Sequence, residues 1–182
     1  MNNSFPHRLE VGNTIPFHSF DTIHGKTVQI PDPNTHWVHL QFRRYAGCPV
    51  CNRHLRTFAK RADEVAAAGI REIAVFHSSA KEMRTYQGEL PFATVADPEK
   101  ILYRAFGVEA SAMSLLNPKA WGAMVTGAVR VRAATVAEGG KFGLPADFLV
   151  APDGRLVAVH YGEHADDQWS VNDLLALAAH AT

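Results

Sequence analysis

The sequence predicts an α/β domain in which a central mixed sheet is flanked by helices, and three observations predict it. Segments of strand period and segments of helical period alternate three times between Trp37 and Phe106, the pattern of parallel strands joined by helical crossovers. Two further strand-like segments meet at the tight turn Pro152-Asp153-Gly154, which adds an antiparallel pair. Turn-formers at Val11-Gly12-Asn13, His24-Gly25-Lys26 and Pro31-Asp32-Pro33-Asn34 cut residues 1–36 into short apolar runs, read as an amino-terminal hairpin leading into the core.

Trp37-Val38-His39-Leu40-Gln41-Phe42 places Val38, Leu40 and Phe42 on one face, which makes it the first central strand. Arg43 to Gly47 reads as a short loop. From Pro49 onward, Leu55, Phe58, Ala62, Val65 and Ala66 recur at helical spacing until Gly69 ends the helix. Ile70 to Phe76 is the next strand, and Ser79-Ala80-Lys81-Glu82 has the capping-box spacing that opens another helix. Phe92 to Ala96 is a third strand, after which Asp97 as N-cap and Pro98 as first helical residue predict a helix reaching Phe106. The rhythm breaks over 108–143, where Asn117-Pro118 opens a helix through Trp121, Met124 and Val125 and Glu138-Gly139-Gly140 reads as a loop. Ala146 to Val150 and Leu156 to Tyr161 form the carboxyl-terminal hairpin, and Ser170 caps a last helix carrying Val171, Leu174, Leu175 and Ala178. Residues 1–182 thus read as one domain with a helical insertion at 108–143.

Composition narrows the function. At 182 residues and 47% apolar, the chain can bury a core without disulfide or metal staples. Lysine plus arginine equals aspartate plus glutamate at 18 each, so nothing draws the whole protein to nucleic acid or to acidic membranes. Met1 to Phe20 lacks the basic start and apolar run of a secretory signal, and no stretch approaches the ~20 apolar residues that cross a bilayer. A cytoplasmic location is expected, with a small-molecule or protein partner.

The two cysteines carry the chemistry. Gly47-Cys48-Pro49-Val50-Cys51 follows a strand and opens a helix, so Cys48 meets unpaired backbone N–H groups and the positive end of the helix dipole. Both favour the thiolate, the attacking species, and lower the thiol pKa from about 8.5 toward neutrality. Cys51, one turn deeper and less exposed, is placed to resolve a mixed disulfide or a sulfenic acid on Cys48. Three other readings compete. Cys48, Cys51 and His54 continue a three-residue spacing that could hold zinc, although a tetrahedral structural site wants four ligands and there is no second cysteine pair; no metal and no cofactor is expected. The cysteines could also be inert core residues. His77, at the end of a strand, could serve a nucleophilic site, but more ordinarily such a histidine is a hydrogen-bonded loop residue. Pro145 opens a strand expected between the cysteine strand and the return strand. Its bond is cis if it faces the dithiol and trans if it is an ordinary strand-opening proline.

With the strand, the GCPVC helix and Leu144-Pro145-Ala146-Asp147-Phe148-Leu149 followed by Pro152-Asp153-Gly154 in this order, the chain resembles the AhpC/TSA superfamily. The likeness is to its peroxiredoxin-like branch that keeps a C-x-x-C, and it spans roughly Thr14 to Ala178. Phe42-Arg43-Arg44, Tyr161-Gly162 and Asp166-Asp167-Gln168-Trp169 also look like that branch. The resemblance implies a thioredoxin-like fold, Cys48 as the peroxidatic or exchange cysteine, and Pro145 as a cis-proline beside it. Typical members place a proline seven residues and a threonine or serine three residues before the reactive cysteine; here Gln41 and Tyr45 stand there. Tyr45 is then the candidate hydroxyl donor to substrate, and Arg44, with Arg43 beside it, the candidate cation.

The function expected is reduction of hydroperoxides or disulfides by the Cys48/Cys51 dithiol, recycled by a thioredoxin- or glutaredoxin-type reductant. The alternative is a non-enzymatic binding or redox-sensing module of the same fold. In that reading Met113, Leu115, Leu116, Trp121, Met124 and Val125 offer an apolar face to a second subunit of a homodimer, unless they cover the protein's own core.

Overall fold

The computed structural model describes residues 8–108 and 143–181. The helix expected within 108–143, and with it the apolar face of Met113 to Val125, lies outside the described residues. The hairpin β1 (His18–Asp21) and β2 (Thr27–Ile30) forms a sheet of its own. The main sheet contains β3 (Trp37–Arg43), β4 (Ile70–Phe76), β5 (Ala93–Ala96), β6 (Ala146–Val150) and β7 (Leu156–Tyr161) in the order β5-β4-β3-β6-β7. β3, β4 and β5 run parallel, whereas β6 is antiparallel to both β3 and β7, so the sheet is mixed as expected. The helices among the described residues are α1 (Pro49–Lys60), α2 (Ala62–Ala67), α3 (Ala80–Gln87), α4 (Ile101–Ala105) and α5 (Val171–His180).

Both faces of β3 are covered, as a central strand requires. Val38, Leu40 and Phe42 pack with Ile73, Val75, Phe148 and the α4 residues Leu102 and Tyr103, and with Val28 and Ile30 of the hairpin. On the other face α1 contributes Cys51, Leu55 and Phe58, and α5 contributes Val171, Leu174 and Ala178. Each fully buried large apolar side chain of this kind contributes roughly 1.5–3 kcal/mol. The amino-terminal segment reaches both edges of the sheet: Thr22 bridges Val95 of β5, and Thr14 bridges Arg155 just before β7.

Three boundaries differ from the sequence expectation. The helix predicted from Pro49 to Gly69 is broken at Arg61, whose backbone (φ −119°, ψ 22°) leaves the helical region. Its amide bonds the Phe58 carbonyl and its guanidinium holds Glu64 at 2.6 Å, so α2 is re-aimed and Val65 joins Phe58 in the cluster under α5. α4 starts at Ile101, not at Pro98, because Lys100 adopts a left-handed conformation (φ 56°). Asp97 still caps, from further back: its carboxylate accepts from the amides of Ile101, Leu102 and Tyr103 at 2.8, 2.8 and 3.2 Å. Arg43, expected in a loop, is the last residue of β3. Ser79 caps α3 by accepting the Glu82 amide, but the reciprocal bond of the expected capping box is not made there, whereas at Ser170 the reciprocal Asp173 bond completes a capping box.

Candidate active site

The strand β3 ends five residues before Cys48, and the loop between is pinned on three sides. The Ala46 amide donates to Ser78 Oγ at 3.0 Å, and the Ala46 carbonyl accepts from Asn52 Nδ2 at 2.7 Å and Gln87 Nε2 at 2.8 Å. Cys48 is thereby held as the N-cap of α1, its own amide bonded to the Tyr45 carbonyl. Its Sγ accepts from the Cys51 amide at 3.4 Å and from the Cys51 thiol at 2.8 Å. Both cysteines are free and fully buried, against Leu55, Ala74, Phe76 and Met83. Neither sulfur is exposed, so the expected difference in exposure is absent, although Cys51 lies deeper in the protein than Cys48, as expected.

The two thiols are unequal electrostatically. The Cys48 thiol is lowered to about 6, first by the hydrogen bond from Cys51, with burial opposing and with the Cys51 amide and the Arg44 charge assisting. The Cys51 thiol is pushed far up, first by that same bond to Cys48, then by burial and by the charge on Cys48. A thiolate at Cys48 beside a protonated Cys51 is the state this geometry favours.

Arg44 and Tyr45 stay at the site. The Arg44 guanidinium lies 5.7 Å from the centroid of the half-buried Tyr45 ring. Arg43 does not join them as a second cation. It is fully buried, and its guanidinium donates to Asp147 at 2.6 Å, to Gln41 Oε1 at 2.5 and 2.9 Å, and to His54 Nε2 at 3.2 Å. His54 is accordingly turned toward Arg43 as a hydrogen-bond acceptor, and burial followed by the Arg43 charge lowers its pKa to about 3. Among the described residues no three His, Cys, Asp or Glu side chains are grouped to hold a metal ion.

Pro145 corrects the expectation of a cis bond: among the described residues only Ile30–Pro31 is cis, and Leu144–Pro145 is trans. Pro145 leads straight into β6, where its carbonyl accepts the Gly162 amide at 2.9 Å, and its ring and carbonyl leave no room for a Cβ at Gly162. An extended trans residue satisfies that pairing. Since Ala146 stands opposite Phe42, Pro145 comes level with Arg43 at the end of β3 from which the cysteine loop departs. His77 also departs from its expected hydrogen-bonded state: it is buried edge-on to Tyr103, and among the described residues neither ring nitrogen has a hydrogen-bond partner.

A buried polar ladder under α1 was not anticipated. His39, Gln41 and Arg43 alternate with Val38, Leu40 and Phe42, and pleating sends them to the opposite face. Glu72 on β4 and Asp147 on β6 flank them. His39 bonds Glu72 at 2.8–2.9 Å and Asp147 at 3.2 Å, and Gln41 donates to Glu72. Burial pushes His39 down, but the Glu72 charge and the bonds to Asp147 and Glu72 outweigh it and hold its pKa up at about 9. Asp147 is held well below the usual carboxylate range: burial pushes it up, and Arg43 and His39 overcome that. Trp169 closes the ladder by stacking on His39 with centroids 5.8 Å apart and by donating its amide to Asp147 at 3.3 Å. The available signal was the alternation His39-x-Gln41-x-Arg43 in a strand too central to face water.

Comparison with known proteins agrees with this architecture. The model of the AhpC/TSA family matches residues 11–159. No curated protein sequence shows significant similarity. Among solved structures, peroxidoxin BcpB from Mycobacterium tuberculosis superposes with a TM-score of 0.69 at 15% identity, covering 96% of this chain and 98% of that one. A PrxQ variant from Xylella fastidiosa gives 0.67 at 16% identity, covering 97% and 99%. The bacterioferritin comigratory protein of Xanthomonas campestris, described for its alkyl peroxide reduction activity, gives 0.63 at 19% identity, covering 91% and 92%. At these identities the structures establish a shared peroxiredoxin, thioredoxin-like fold, while the family match spans most of the chain. The protein belongs to the AhpC/TSA family and is a peroxiredoxin-like, thiol-dependent oxidoreductase.

Proposed function

We propose that the protein is a thiol peroxidase in which Cys48 attacks a hydroperoxide and Cys51 resolves the product. The observation that carries this reading is the pair of sulfurs 2.8 Å apart, one favoured as a thiolate at the head of α1 and the other as its proton-bearing donor, both covered from solvent. A covered sulfur is reached with less rearrangement by a small hydroperoxide than by a disulfide on a protein surface. The Cys48 thiolate forms a bond to the terminal peroxide oxygen, the O–O bond breaks, and the alkoxide or hydroxide leaves and takes up a proton. Cys51 sulfur then attacks the sulfenic acid, the S–O bond breaks, water leaves, and the Cys48–Cys51 disulfide forms. A thioredoxin- or glutaredoxin-type thiol returns two electrons, consistent with work in a reducing cytoplasm. Arg44 and Tyr45 flank the substrate path as cation and hydroxyl.

One observation favours a second reading: a C-x-x-C closed within one helical turn also suits direct disulfide reduction. Peroxide consumption and insulin reduction by the purified protein separate the two. Peroxide turnover with a thiol reductant, abolished in Cys48→Ser and replaced in Cys51→Ser by a sulfenic acid that dimedone traps, supports the peroxidase. Insulin reduction without peroxide turnover refutes it.

A further inference from the structure

The exposed stripe of α1 begins at the cysteine loop. Leu55, Phe58 and Cys51 face the core, which leaves Pro49, Arg53, Arg56 and Lys60 on the outside. With Gly47 and Tyr86 they line a groove of about 480 Å³ beside the two residues that bracket Cys48. The volume falls in the range of small-molecule sites.

The charge of this groove is one-sided in a protein whose overall charge is zero. Among the described residues three cations line it and no carboxylate does. The first turn of α1 also lacks the acidic residue that commonly offsets a helix N-terminus, so the partial positive charge there adds to the guanidinium groups. The Arg53–Asp166 pair, at 3.1 Å, is exposed on both sides and is a weak neutraliser. Arg56 and Lys60 make no ion pair among the described residues. Tyr86, 55% exposed, forms the facing wall: its ring lies against Gly47, where a Cβ would come within 3.4 Å of it. A groove with cations along one side, an aromatic wall on the other and, at its head, Gly47 and Pro49, the residues on either side of the covered Cys48, matches a small, carboxylate-bearing thiol.

We propose that this groove binds an anionic low-molecular-mass thiol and directs it to the Cys48–Cys51 disulfide, making such a thiol a reductant of the oxidised protein. The proposal rests on the assignment of Cys48 and Cys51 as the redox pair. The bound thiolate attacks Cys48 sulfur, the Cys48–Cys51 bond breaks, and Cys51 leaves and takes up a proton. A second thiol, as thiolate, attacks the ligand sulfur of the mixed disulfide. The small-molecule disulfide is released and Cys48 leaves as thiolate, so two thiols supply the two electrons.

Glutathione and its diethyl ester are the probes, alike in the reacting thiol and different in carboxylate charge. The full chain is first oxidised with hydrogen peroxide and reduced with dithiothreitol; failure to cycle here refutes the redox pair itself, before the groove is tested. Second-order rates of reduction by each probe are then measured, corrected to thiolate concentration, at low and high salt. Glutathione is expected to outpace its ester by about tenfold at low salt, as steering by a charged cleft allows, with the ratio falling toward one at high salt. The Arg56→Gln/Lys60→Gln variant, changed only at exposed positions, is expected to lose most of that ratio, whereas Lys26→Gln, on the distant hairpin, keeps it. A ratio that is the same in wild type and in the groove variant overturns the proposal.

Discussion

Whether Cys48 is a thiolate at neutral pH depends on Cys51 more than on any cation. The thiol at 2.8 Å is the largest influence lowering Cys48, ahead of the amides of α1 and of Arg44. Alkylation of wild type by iodoacetamide, which reports thiolate, is expected to rise with pH around a midpoint near 6. Cys51→Ala removes the donor and leaves burial in place, so its midpoint moves upward toward the ordinary thiol value; a midpoint that stays near 6 assigns the shift to the helix and Arg44 instead. Arg44→Gln is expected to move it in the same direction by a smaller amount.

At the scale of elements, the sequence located starts and stops wherever one residue type does one local job. Ser79, Ser170, the glycine at 69 and the turn at Gly154 are such residues. Gly154 needs its left-handed backbone (φ 87°), and a Cβ there would meet the Ile15 carbonyl at 2.8 Å. The boundary at α4 was misplaced because Asp97 caps across an intervening left-handed Lys100, a geometry that Asp97-Pro98 does not encode by itself. Asp97→Ala leaves three amides without their acceptor. It is expected to cost about 2 kcal/mol by urea denaturation, against about 1 kcal/mol for Ser170→Ala at the more exposed α5 cap. Equal small losses would mean that water replaces the Asp97 carboxylate.

Over the whole molecule the polar ladder sets both stability and its pH dependence. Asp147→Ala strands the Arg43 charge in a fully buried position, which is expected to cost about 3–5 kcal/mol. His39 holds its proton more tightly folded than unfolded. Its contribution is complete below pH 6.5 and is lost as pH rises through about 9. Cys48, with a lowered pKa, works in the opposite sense: its contribution is present above the ordinary thiol pKa and is lost as pH falls through about 6. The ladder is therefore read in the Cys48→Ser/Cys51→Ser variant, which is expected to be less stable to urea at pH 9.5 than at pH 6.5. Adding His39→Gln should flatten that slope, and an unchanged slope would place the titrating group elsewhere.

Local patterning alone determined the order of strands and helices, the hairpin, most caps, and the dithiol at the head of a helix, because each depends on residues within a few positions of one another. The same patterning made Val38, Leu40 and Phe42 a core face, left His39 and Gln41 without an assigned role, and put Arg43 in a loop as a cation beside Arg44. Only the tertiary structure showed that α1 covers that second face and that β4 and β6, pairing with β3, bring Glu72 and Asp147 from 33 and 108 residues away to His39. It likewise decided that Arg43 turns inward to Asp147 while Arg44 stays at the dithiol, that Pro145 is trans, and that both sulfurs are covered. Each of those outcomes depends on which distant strand or helix lies alongside, and neighbour identity is carried by packing across the sheet, not by spacing along the chain.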